Sequence, residues 1–138
     1  MAVSQEKLDE LLMKHLSRLS RHFRLWIDDD YRFVIVGSVL LPPGYNVRRA
    51  KLLIELPGDY PLSPPGIGDS LIYVSPVLQF HGWDLKDLHP HRQPAYPTPG
   101  FGPWAWWCYE KIRWYPKRDN LIRLVEMIRA DMTNPPTA

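Results

Sequence analysis

Fifteen prolines divide this chain, most of them in clusters at 42–43, 57–65, 90–103 and 135–136. Proline fixes φ and removes a backbone donor, so helix interiors and central strands are confined to the intervals between those clusters. In the first interval, from Ser4 to about Phe23, Leu8, Leu11, Leu12, Leu16, Leu19 and Phe23 recur at helical spacing. With Ser4 placed as a cap, the pattern predicts an amphipathic helix. Lys7, Lys14, Arg18 and Arg21 lie on an arc away from the apolar stripe. They form a basic ridge, which reads either as a solvated face or as a docking surface for an acidic partner.

Asp28-Asp29-Asp30 ends that helix in this reading, and YRFVIVGSVLL then supplies a β-branched strand closed by the turn PPGYN. AKLLIEL (Ala50 to Leu56) and SLIYVSP (Ser70 to Pro76) are the next two strands. Short connections make them antiparallel neighbours, because a parallel pair needs a crossover. No period survives from Val77 to Trp107, where HPHRQPAYPTPGFGP holds five prolines and two glycines in fifteen residues. A long aromatic-rich loop is expected there, of the functional kind. The last element is a helix from about Asp119, as cap, to Met132, with Leu121, Leu124, Val125, Ile128 and Met132 on one face.

The expectation is one α+β domain over residues 1–138: an N-terminal helix, an antiparallel meander of about three to four strands, a long loop and a C-terminal helix. A formal charge of +2 and the absence of known nucleic-acid motifs argue against nucleic acid as a partner. MAVSQEKLDE has no secretory-type apolar stretch, and no apolar run approaches bilayer length, so a cytoplasmic protein without membrane association is expected. The single cysteine, Cys108, precludes an internal disulfide, which suits a reducing compartment. Taken alone, a cysteine beside Trp106 and Trp107 reads as buried packing.

Four landmarks change that reading. Tyr60-Pro61-Leu62-Ser63-Pro64-Pro65 resembles the Tyr-Pro-x-x-Pro-Pro segment of ubiquitin-conjugating enzymes. Cys108, then Trp114-Tyr115-Pro116, then the last helix and Asn134-Pro135 repeat that family's order of catalytic cysteine, Trp-x-Pro, helix and Asn-Pro pair. The resemblance spans the chain and is nearest the bacterial members of the superfamily, without the pair of extra C-terminal helices. It implies a ubiquitin-conjugating-like fold. The implied activity is acyl transfer: Cys108 accepts a ubiquitin-like protein from an activating enzyme as a thioester and passes it to an amine of a target protein. Lys7, Lys14, Arg18 and Arg21 would dock the activating enzyme, and Tyr60, Pro61, Pro64, Pro65, Trp114 and Pro116 would shape the site, with Pro61 a candidate for a cis peptide. Relatives often sit in operons with an activating enzyme, a ubiquitin-like protein and a deconjugating protease, and some serve antiphage defence.

One departure stands out. The family's His-Pro-Asn step is absent: His89-Pro90 is followed by His91, nineteen residues before Cys108, and the only asparagines are Asn46, Asn120 and Asn134. Residue type nominates His89, His91 and Asn120 as oxyanion or loop-supporting groups. Lys111, Arg113, Lys117 and Arg118 outnumber Glu110 around Cys108 and would favour its thiolate. No glycine-rich phosphate cradle is present, so no cofactor is expected and ATP chemistry falls to the activating enzyme. His81, Asp84, Asp87, His89, His91 and Cys108 raise a zinc reading, but the His-x-His step is too short for paired ligands on a helix and metal would quench the thiol. The alternative is a non-catalytic module of this fold that binds a ubiquitin-like protein or an operon partner.

Overall fold

Ser4 starts the first helix by accepting the Lys7 backbone N–H on its Oγ at 3.2 Å. In the computed structural model, which describes residues 3–109 and 112–138, this helix is α1, Gln5–Ser20. It buries Leu8, Leu12, His15, Leu16 and Leu19 and leaves Lys7, Lys14, Arg18 and Arg21 exposed. The helix ends short of Phe23. Arg24–Ile27 is instead strand β1, and its alternation sends Leu25 to one side of the sheet and Trp26 to the other. The aspartate run closes the hairpin from β1 to β2, Phe33–Leu40, with Arg32 Nε donating to Asp28 Oδ2 at 2.6 Å.

Strands β3 (Arg49–Glu55) and β4 (Ile72–Ser75) continue the expected antiparallel order. The stretch expected to be structureless carries four short strands: β5 (Gln79–Phe80), β6 (Trp83–Asp84), β7 (Leu88–His89) and β8 (Ala105–Trp107). β5 and β6 form a separate hairpin, while β8 and β7 extend the main sheet to the order β1-β2-β3-β4-β8-β7. The meander of three to four strands is thus a sheet of six. Two-residue strands carry too little periodicity to be read, and their pairing is tertiary.

Both faces of this sheet are covered. Val34, Val36, Leu52, Ile54, Ile72 and Val74 pack with the leucines of α1 and with helix α2, Leu121–Asp131. Phe33, Ile35, Leu53 and Tyr73, on the other face, meet Tyr96, Phe101 and Trp104 from the proline-rich segment. Burial on both sides is why β2 and β3 read as continuous apolar runs. Much of that segment is therefore a lid on the sheet, and Glu55, 3% exposed, fastens it. Its Oε1 accepts the Leu71 N–H at 2.9 Å and its Oε2 the Ala95 N–H at 3.1 Å.

Asp119 is not the cap of α2. Asn120 is, its Oδ1 accepting the Arg123 N–H at 2.9 Å. Asp119, buried, turns back to accept the Tyr115 N–H at 2.8 Å and pairs with Arg118 and Arg123. No helix among the described residues is long and apolar enough to cross a membrane.

Candidate functional site

Pairing of β7 with β8 places Leu88 opposite Trp107, and the ladder runs one step further: the Cys108 N–H donates to the Asp87 carbonyl at 2.8 Å. Cys108 is partly exposed at the rim of a cavity of about 490 Å³, formed where this strand end meets the C-terminal turn of α2 and the segment after it. Asp87, Tyr109, Asp131, Thr133 and Asn134 share its walls. Trp107 Nε1 donates to Asp131 Oδ2 at 2.8 Å, which fixes that carboxyl beside the strand. The Tyr45 hydroxyl donates to the Met132 carbonyl and ties down the helix end. Burial, and then the charge of Asp131, raise the Tyr109 phenol above its ordinary value of 10.0, so it enters the site as a protonated hydroxyl.

The electrostatics differ from the sequence expectation. The charged side chains lining the cavity, among the described residues, are the acids Asp87 and Asp131. Lys117 and Arg118 face a different groove, Arg118 is engaged by Asp119, and Lys111 and Glu110 lie outside the described residues. Carboxylates beside a thiol do not promote its ionisation. Two carboxyl groups give the cavity an acidic wall.

The other nominated residues fall into two places. His89 stands opposite Trp106 with ring centroids 5.0 Å apart, and His91 lies 5.7 Å from His89, but neither lines the Cys108 cavity. Asn120 is spent as the cap at the far end of α2, seven residues and about 10 Å of helix from Met127, the first helix residue to line the cavity. Asn134, by contrast, lines it. Sequence reasoning used Asn134 only as a landmark, named Asp87 only among the residues of the zinc reading and passed over Asp131. The landmark position was the available signal for Asn134; the acids came together only through the β7–β8 register. Among the described residues, no three His, Cys, Asp or Glu side chains converge to hold a metal ion.

The structural landmarks meet on the opposite side of the helices. Trp114 Nε1 donates to the Pro61 carbonyl at 2.7 Å, joining the Trp-x-Pro step to the Tyr-Pro-x-x-Pro-Pro segment. The Tyr60–Pro61 peptide is cis, and Tyr60 and Pro65 are buried while Pro64 is half-buried. Pro61 and Pro116 line a groove with Leu11 and Leu62, rimmed by Lys14, Arg18, Lys117 and Arg118. Beneath it His15 Nδ1 meets the Tyr60 hydroxyl at 2.7 Å. Burial, then Arg18 and Lys14, hold the His15 imidazole below its ordinary value of 6.5, and burial with Asp119 holds the Tyr60 phenol far above its own. Both groups are therefore uncharged at neutral pH, and one hydrogen bond joins them.

The chain matches no family model, no curated protein and no solved structure.

Proposed function

We propose that this chain is a ubiquitin-conjugating-type enzyme. The Cys108 thiolate attacks the carbonyl carbon of a ubiquitin-like protein held as a thioester on an activating enzyme; the new C–S bond forms, the old one breaks and the activating enzyme's thiolate leaves. A target amine then attacks the carbonyl carbon, the C–S bond breaks, the thiolate leaves and an amide forms. A thiolate departs without protonation, so the site's task is to orient the amine, take its proton and stabilise the oxyanion.

The observation that carries this reading is that Cys108 and Asn134, separate landmarks in sequence, line one cavity together with two carboxyl groups. Asp87 and Asp131 attract an ammonium and accept its proton; Asn134 offers an amide N–H for the oxyanion, the task left open by the missing His-Pro-Asn step. The activating enzyme docks on the ridge of Lys7, Lys14, Arg18 and Arg21, which Lys117 and Arg118 extend across the groove at Pro116.

The test is charging. Incubated with its activating enzyme, ubiquitin-like protein and ATP, the chain should give a thiol-sensitive adduct that Cys108→Ala abolishes and Cys108→Ser converts to a thiol-resistant ester. A competent activating enzyme that leaves the chain uncharged refutes the reading in favour of a non-catalytic binding module. Asn134→Ala should charge normally but discharge to free lysine about a hundredfold more slowly, the scale of losing one oxyanion donor.

A further inference from the structure

A second cleft, of about 350 Å³, opens at the other edge of the sheet, where the chain leaves α1, and it gathers three arginines and a histidine from four places. His22 comes from the turn after α1, Arg24 from β1, Arg49 from β3 and Arg129 from α2. No Asp or Glu is among its described lining residues, and none of the three arginines forms an ion pair with a described carboxylate. Arg48 borders the adjoining cleft, which shares Leu40 and Arg129. In a chain with seventeen basic and fifteen acidic residues this is local segregation of charge, not bulk basicity.

The guanidinium groups are also held in place. Arg49 Nη1 donates to the Ser38 carbonyl at 3.1 Å, and Arg129 Nε to the Leu40 carbonyl at 2.8 Å. The Ser38 carbonyl belongs to the irregular stretch of β2 between Val36 and Val39, where Ser38 takes φ +60°, and Leu40 ends the strand just beyond it. A bulge re-aims the strand and frees carbonyls from the ladder. Each guanidinium has five N–H donors, so most of its fork is left for a ligand. Arg24 lies against the Trp26 ring, its Cζ 5.3 Å from the centroid. Three arginines lining one cleft, without a counter-charge among the described residues, suit an oxyanion of charge two or more. Phe23 and Leu40 add an apolar wall, and the cleft is larger than a lone phosphate needs.

We propose that this cleft binds a phosphate ester carried on a small organic molecule, with Arg24, Arg49 and Arg129 as its ligands. The inference is independent of the conjugation reading. It is tested by titrating the full chain with pyrophosphate and with AMP, at about 0.15 M salt so that weak surface attraction is screened. Trp26 fluorescence and calorimetry are the readouts. Saturable binding with Kd below about 1 mM is expected, weakened about tenfold or more by Arg49→Gln/Arg129→Gln and unchanged by Lys117→Gln, which lies outside the cleft. Arg24→Gln removes no hydrogen bond of the fold, so the same loss from it supports the site should the double variant unfold. Absence of saturation up to about 10 mM, or equal affinity in the Arg24→Gln protein, overturns the proposal. An unstructured oligonucleotide bound about tenfold tighter than AMP overturns the small-molecule assignment.

Discussion

Tyr60→Phe isolates a single buried contact. Tyr60 is 2% exposed and His15 is 7% exposed, and the phenol hydroxyl is hydrogen-bonded to His15 Nδ1 at 2.7 Å. Phenylalanine keeps the ring contacts, edge-on to His15 at 5.4 Å and tilted on Trp114 at 5.8 Å, so packing is preserved and only the bond is lost. The imidazole Nδ1 is left without its partner in an interior that water reaches poorly, a loss of about 1–3 kcal/mol. With a urea m-value of about 2 kcal/mol/M, the unfolding midpoint should fall by about 1 M at neutral pH. A second consequence concerns protons. Burial, Arg18 and Lys14, which hold the folded His15 imidazole below 6.5, are all retained, so the variant should lose stability on acidification with the slope of the parent. A midpoint within about 0.2 M of the parent at neutral pH would refute the assigned bond.

In the parent protein, His15 is held below 6.5 when folded, so the unfolded chain binds more protons below that pH. Urea stability should therefore fall as pH drops through and below about 6.5, and His15→Asn should flatten that fall. Glu55→Ala strips the acceptors from the Leu71 and Ala95 N–H groups; a loss of about 2–4 kcal/mol is expected, with faster proteolysis within 90–104. Glu55→Gln, keeping one acceptor, should fall between the two. At Gly37 an added Cβ would approach Trp26 to 2.7 Å, and that ring is edge-packed on Phe101 at 4.9 Å. Gly37→Ala should cost about 1–3 kcal/mol by thermal melting and change Trp26 fluorescence.

What sequence could carry depended on the length over which a period was sustained. The helix caps and apolar stripes of α1 and α2 were legible to within a few residues, and so were β2, β3 and β4, because each repeats its pattern over several residues. β1 was absorbed into the preceding helix because RLWI continues a plausible apolar spacing from Phe23. β7 and β8 were illegible: their two and three residues find meaning only in pairing with each other and with β4. That same pairing decides the candidate site. It sets Asp87 against Cys108 and leaves His89 against Trp106, one ladder step past Leu88. Residue type alone nominated the histidines as oxyanion or loop-supporting groups; register, which type cannot encode, removed them from the cavity. Asp119 and Asn120 show the local version of the limit: both are good caps, and the choice was made by the turn at Tyr115 that Asp119 completes.

Helix α2 also separates two charge environments that conjugation would use differently. At its N-terminal end, Lys14, Arg18, Lys117 and Arg118 rim an apolar groove containing Leu11 and Leu62. At its C-terminal end, Asp87 and Asp131 flank Cys108. A thioester carrier must first recognise a large protein that delivers the acyl group, which calls for a broad surface with steering charge. It must then admit a small cationic amine to the sulfur, which calls for confined negative charge. An acidic wall lowers the thiolate fraction, but it also raises the local concentration of the ammonium and provides an acceptor for the proton lost at attack. In the proposed enzyme the acids therefore serve the second transfer at the expense of the first, and the activating enzyme must supply the driving force for charging through its own high-energy thioester. Asp131→Asn, which preserves an acceptor for Trp107 Nε1, should accordingly leave charging intact or faster while slowing discharge to lysine. Slower charging with normal discharge would reverse the assignment of the cavity's charge.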